Sequence, residues 1–475
     1  MGRSFRRILS LIVVTSLVSG CQIPSVQHAG IAKPAQGCAS IARRVMIDPP
    51  PAQGLMVGDK ALLGPVLQDG DPLVAELDEI YDSAAKGRVS GGAPFLGDEP
   101  VSDSMLFLSG GSQNGAFGAG FLSQWAEKRE GRGLPRFRVV TGISTGALQS
   151  TFAFLDDAEM IKSEYQIPGE SRLLKRLSKG DLRSKSKLAQ GRAALGLARK
   201  GAIADLAPLR ERLRVLIDDT ILARVAAEAG TPGGPDRRKL FVGAVEMDSG
   251  DAYLFDLTEA ARGYVGGNTG MRDCYIEALM ASSSVPMAAL PVFIEGRMYI
   301  DGGARFGVIS DFTAATMDRV ARASPSNAAR NLFILVNGTL EAGSRCHLKD
   351  CDDHPLPSTP DGEVPQHSSW TFDKLALRSM SVLINQAYRS SVYLARREAK
   401  DLKFTPHFAR IEGDLWDHPA AIDFDDTGGE RLTCKQWEQR DKDIDNPVEF
   451  HPRFMRCLID YGSAHPQVMA WAEAE

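Results

Sequence analysis

Apolar residues in this chain fall in short uninterrupted runs rather than in strict alternation with polar ones. Runs at 105–108, 137–141, 240–245, 292–294, 298–300 and 332–336 predict strands buried on both faces. Between several of them the apolar positions recur at helical spacing. Longer helical patterns lie at 72–86, 373–400 and 451–467. Strand and helix in alternation predict an α/β fold, with a mainly parallel central sheet flanked by helices. Within 291–303 two strands are separated by Glu295-Gly296, which predicts a hairpin whose second strand ends at Asp301.

Candidate chemistry sits where these runs end. The run at 137–141 breaks into Gly142-Ile143-Ser144-Thr145-Gly146 before a helical segment resumes. A serine between two glycines at a strand-to-helix turn reads as a nucleophile elbow. Side chains at Gly142 and Gly146 would clash there, and the Ser144 hydroxyl is left exposed at the helix start. The run at 105–108 leads into Gly110-Gly111-Ser112-Gln113-Asn114-Gly115 and then a small-residue helix from about Ala116. Backbone N–H groups in such a turn, aimed by the positive end of a helix, suit an oxyanion. Asp301, followed by Gly302 and Gly303, is placed to take a proton from a hydroxyl on a neighbouring strand. Eight histidines occur, none between His28 and His347, so a Ser-His-Asp triad would need an imidazole from the C-terminal portion. A carboxylate acting alone has an ordinary pKa of about 3.9 and needs burial, here beside Tyr299 and Ile300, to become a better base.

Taken together, the glycine loop, the serine elbow and Asp301-Gly302-Gly303, in that order, resemble the patatin-like phospholipase family. The stretch 278–292 also resembles the one preceding that family's aspartate. The resemblance covers roughly 104–311 and implies a patatin-like three-layer α/β architecture. It makes Ser144 the nucleophile and Asp301 its partner in a Ser-Asp dyad, with 110–115 as the oxyanion loop and no cofactor or metal. One departure stands out: Ser112 and Asn114 occupy positions where the family usually has glycine and arginine or lysine. The full positive charge is lost, while Asn114 still offers an amide N–H.

The N-terminus carries a different signal. Arg3, Arg6 and Arg7 precede an apolar run at 8–18, too short for the roughly 20 residues that span a bilayer but suited to a secretory signal. It ends Leu17-Val18-Ser19-Gly20-Cys21, which resembles a bacterial lipobox. That resemblance implies cleavage after residue 20 and a lipidated Cys21 holding the protein to a membrane surface of the bacterial cell envelope, with Gln22 favouring the outer membrane. The six other cysteines, in an oxidising compartment, allow fifteen pairings; Cys346 with Cys351 and Cys434 with Cys457 are the first and second choices. The alternatives are free buried thiols, or a zinc site at Cys346, His347, Cys351 and His354.

The resulting organisation is a signal at 1–20, a Pro- and Gly-rich tether and lead-in at 21–103, a catalytic core at 104–311, and a C-terminal portion at 312–475 packed on the core. A basic segment at 171–200 is either a lid on anionic lipid or a solvated insertion. The acidic stretch 412–445 is expected at the surface. A net charge of −5 does not suggest a nucleic-acid partner. The expected function is serine acyl-ester hydrolysis of membrane phospholipid or lysophospholipid. Alternatives are a neutral-lipid esterase or transacylase, or a silent lipid-binding lipoprotein. A dinucleotide-binding module also fits strand-glycine-helix, but the strand at 137–141 lacks the acidic residue such a module needs at its end.

Overall fold

A computed structural model describes residues 35–45, 56–57, 60–61, 72–89, 101–177, 202–309, 330–341, 372–401 and 404–474. Cys21 and the signal segment, the basic residues 178–200, and Cys346, His347, Cys351 and His354 lie outside the described residues. No described helix is long and apolar enough to cross a membrane.

The elements that build the site are, in chain order, β1 (Ala42–Arg44), α1 (Pro72–Val89), β2 (Ser102–Leu108), α2 (Gly115–Lys128), β3 (Phe137–Ile143), α3 (Thr145–Phe154), β4 (Lys239–Glu246), β5 (Ala252–Asp256), α4 (Gly270–Ser283), β6 (Val292–Ile294), β7 (Arg297–Asp301), β8 (Asn331–Val336), α5 (Phe372–Asp401), β9 (Thr405–Arg410), α6 (Cys434–Ile444) and α7 (Pro452–Ser463). They form a nine-stranded sheet in the order β1-β5-β4-β3-β2-β8-β9, with the β6–β7 hairpin joined to β4. The central strands β4, β3, β2, β8 and β9 are parallel. The margin is antiparallel, because β5 folds straight back on β4 and β1 pairs β5. β1 and β9 carry no long apolar run, which hid them from sequence patterning; β5 has one, Ala252–Phe255, that sequence patterning passed over.

Strand side chains divide between two cores, which makes three layers. Leu106, Leu108, Val140 and Val242 pack with Phe117, Phe121 and Trp125 of α2 on one face. Met105, Phe107, Val139 and Phe241 pack with Leu77 and Ile80 of α1 and Val392 and Ala395 of α5 on the other. This period-2 division explains the uninterrupted apolar runs: both faces are covered. The sheet crosses the boundary expected at 311, since β8 lies beside β2 at its centre.

Among the described residues two cysteine pairs are closed. Cys434–Cys457 links α6 to α7 with Cα atoms 5.5 Å apart, as expected. Cys38–Cys274, across a sequence separation of 236, ties the lead-in to α4; residues so distant give no local spacing signal. The acidic stretch is not wholly at the surface. Asp441 is fully buried and holds Arg453 through a 2.8 Å ion pair, and Arg453 also pairs Asp426 and Asp445. The helical pattern at 451–467 resolves into α7 and a separate short helix, Gln467–Ala472.

Candidate active site

The sheet register brings Ser144 and Asp301 together. One edge of β4 is shared end to end. Its residues from Lys239 to Gly243 pair β3, with Ile143 opposite Gly243. The next residue, Ala244, lies opposite Asp301 of the antiparallel β7. The C-terminal ends of β3 and β7 therefore meet head-on, rather than side by side as neighbouring strands. Ser144 follows Ile143 directly, and its hydroxyl lies near enough to the Asp301 carboxylate to pull that group's pKa down against burial.

The elbow has the strain that its sequence predicts. Ser144 sits at φ 54°, ψ −123°, a conformation a side chain rarely adopts. A Cβ at Gly142 would come within 2.6 Å of the Gly146 carbonyl carbon, and one at Gly146 within 2.6 Å of the Leu108 carbonyl carbon. The elbow is pinned by Ser282 of α4: its hydroxyl accepts from the Ser144 N–H at 2.9 Å and donates to the Gly243 carbonyl at 2.6 Å. Ser284 closes the other side, its carbonyl accepting from the Asp301 N–H at 2.9 Å. The serine run within 278–292 thus holds both residues of the pair. Contrary to expectation Ser144 is buried, only 6% exposed, because α5 packs across the site.

Asp301 is 3% exposed. Burial pushes its carboxyl up to about 7, against the opposing pull of the nearby Ser144 hydroxyl and of a 2.6 Å hydrogen bond from the Gly303 N–H. Among the described residues no histidine bonds either member of the pair. His451 instead engages the glycine loop, where Gln113 Oε1 accepts from its backbone N–H at 3.0 Å and lies 3.1 Å from Nδ1.

The loop itself turns through Gly111 at φ 155° and Ser112 at φ 52° into a single 3-10 turn, Ser112–Asn114, and then α2. Ser112 therefore adopts the positive φ that a glycine would take more readily. The Asn114 N–H is used internally, donating to the Gly111 carbonyl at 3.0 Å. The N–H groups of Gly111 and Ser112 make no hydrogen bond among the described residues and remain available to an anion. Sequence patterning missed the brace behind this loop, Asn337. Fully buried just past β8, it donates from its backbone N–H to Ser109 Oγ at 2.9 Å. Its Nδ2 donates to the Ser109 carbonyl at 2.9 Å and to Gln149 Oε1 at 3.1 Å. Gln149 in turn donates to the Gly115 carbonyl at 2.7 Å. Its place at the carboxyl end of a central parallel strand was the available signal, since that edge is where α/β sheets build sites.

Among the described residues no group of three or more histidine, cysteine or acidic side chains is arranged to hold a metal ion. A strained serine beside a buried carboxylate and free backbone donors, on a parallel α/β sheet, is an arrangement suited to acyl transfer. Residues 106–313 match the family model of the patatin-like phospholipases, so the chain carries a patatin-like phospholipase domain over that segment. A comparison with curated protein sequences gives no match. Among solved structures, the crystal structure of VipD from Legionella pneumophila is similar at 12% identity. The alignment spans 50% of this chain and 50% of that one, and its TM-score of 0.27 is too low to carry an argument.

Proposed function

We propose that this protein is a serine acyl-ester hydrolase of membrane phospholipid or lysophospholipid, working through a Ser144–Asp301 dyad. The observation that carries the reading is the register that sets Ser144 and Asp301 end to end along β4, the serine hydroxyl acting on a carboxylate that burial raises to about 7. At neutral pH a large share of Asp301 is ionised and, unlike an ordinary carboxylate, basic enough to accept a proton. Ser144 Oγ attacks the ester carbonyl carbon as its proton passes to Asp301. The carbonyl π pair moves onto oxygen, which the Gly111 and Ser112 N–H groups receive. The alcohol leaves with the proton from Asp301, and water, deprotonated by the same carboxylate, releases the fatty acid from the acyl-serine. Histidine-free chemistry and the absence of a cofactor both belong to this reading.

The test is labelling with a fluorophosphonate, read by intact mass and peptide mapping. Wild type should take one label on Ser144 and Ser144→Ala none, and Ser144→Ala should lose lipid hydrolysis. Labelling of Ser144 without hydrolysis of any phospholipid would favour the neutral-lipid or transacylase alternative; no labelling at all would favour a silent binding lipoprotein. The motif at 17–21 supports a second element, attachment to the outer membrane through lipid on Cys21. Radiolabelled palmitate should enter the wild type and not Cys21→Ala; incorporation in both would remove it.

A further inference from the structure

One polar group reaches the site from outside the segment that the family match covers. Tyr388 lies on α5, and α5 is seated on the chain just after Asp301. Ser391 Oγ accepts from the N–H groups of Gly307 and Val308 at 2.9 and 3.3 Å. A Cβ on Gly307 would approach Tyr388 Cα to 2.7 Å, so the helix backbone lies flush on this glycine. The phenol then extends over the dyad. A Cβ on Gly110 would collide with Tyr388 Oη and come within 3.1 Å of Ser144 Cβ. A Cβ on Gly303 would lie 2.7 Å from the same Oη and 3.0 Å from Asp301 Oδ1. The hydroxyl thus stands among the first residue of the oxyanion loop, the nucleophile and the aspartate. Among the described residues it has no hydrogen-bond partner.

We propose that Tyr388 is a third catalytic group, whose phenolic O–H donates a hydrogen bond to the substrate carbonyl oxygen as the oxyanion forms. The inference rests on the Ser144–Asp301 reading above and extends it. Two features favour a donor over other roles. Burial, and secondarily the charge of Asp301, push the phenol well above its usual 10, so it keeps its proton and cannot act as a base. Asn114 stands where a cation would otherwise add positive potential, and its backbone N–H is spent within the loop; an unpartnered O–H next to the nucleophile supplies a further donor. No proton leaves the tyrosine in this step. The serine proton goes to Asp301, the carbonyl pair goes to oxygen, and the phenol stabilises that charge and relaxes when the intermediate collapses.

Tyr388→Phe is the test, because it removes one oxygen and keeps the ring against Gly307. On a lysophospholipid and on a soluble p-nitrophenyl acyl ester, kcat should fall about 10²-fold with little change in KM. Fluorophosphonate labelling of Ser144 should slow in step, since the phosphonyl oxygen needs the same donor, while the melting temperature stays at the wild-type value. Unchanged kcat and labelling rate would overturn the proposal. So would a rise in either, or a larger rise in Tyr388→Ala, because both mark a side chain that merely blocks the site. Wild type that takes no label on Ser144, or Ser144→Ala that still hydrolyses ester, is a different result: it removes the dyad, whereas an active, labelled Tyr388→Phe removes only the tyrosine.

Discussion

Two regions of this protein share one site on unequal terms. Residues 101–309 supply the proposed nucleophile, its carboxylate partner and the proposed oxyanion loop, and all three lie at breaks in apolar runs. The described residues of 330–474 supply little that the sequence marks as chemistry, the proposed donor Tyr388 apart, yet they shape what the first region offers. Asn337 braces the glycine loop from below, His451 grips Gln113 at its far side, and α5 covers Ser144 from above. The difference teaches that the reactive groups can be local while their positions are not. A tight turn needs only its own glycines to form; holding a donor within a few tenths of an ångström needs packing from distant chain.

That contrast predicts a graded set of losses. The greatest is within the first region: Asp301→Asn should lower kcat by about 10²–10⁴-fold, because the amide accepts no proton. The same substitution should stabilise the fold at high pH. A carboxyl held near 7 keeps in the native state a proton that the unfolded chain has released above about 4, so native stability falls as pH rises from about 4 to about 7 and levels off beyond. Thermal melts of Asp301→Asn should therefore exceed wild type at pH 8, by at most about 4 kcal/mol, and converge toward it in acid. A melting temperature that is equal at both pH values contradicts the burial that raises this carboxyl.

A brace from the second region should matter less. Asn337→Ala removes the Nδ2 bonds that fix Ser109 and Gln149, worth about 1–2 kcal/mol if they act only in positioning the loop. Steady-state kinetics should give a kcat lower by roughly tenfold with KM nearly unchanged. A loss as large as that of Asp301→Asn would erase the distinction between reactive groups and their supports. Cys434→Ser should act on stability instead, costing about 2–4 kcal/mol in denaturant melts with little effect on kcat, since the bond joins α6 to α7 and not to the glycine loop or β7. Smallest of all is the exposed pair Lys442–Glu438, where Lys442→Ala should cost about 0.5 kcal/mol or less.

What was legible in the sequence follows from the range over which each feature is encoded. The strands ending at Leu108, Ile143 and Asp301 announce themselves by local apolarity, and the elbow and hairpin by local glycine. The order of strands in the sheet does not. That β4 holds β3 and β7 on one edge, so that Ser144 and Asp301 meet, depends on pairings across the whole core. The elbow also reads as more exposed than it is, because exposure was inferred from a turn alone and α5 arrives from elsewhere. Tyr388 illustrates the limit: in sequence it is one aromatic residue on a helix otherwise marked by its apolar spacing. Nothing local distinguishes it from core. The Cys38–Cys274 bond and the burial of Asp441 against Arg453 escaped for the same reason.

The central claim, that a buried carboxylate activates Ser144 without help from an imidazole, is most directly tested by the pH dependence of fluorophosphonate labelling. The rate of label uptake at Ser144 would be followed by mass from about pH 5 to about pH 9 in wild type and Asp301→Asn. Wild type should rise through a single ionisation near 7, as Asp301 loses its proton, and Asp301→Asn should be slow and flat across the range. A wild-type rate independent of pH, or the same rising curve in Asp301→Asn, would assign the activating base to another group and contradict the account.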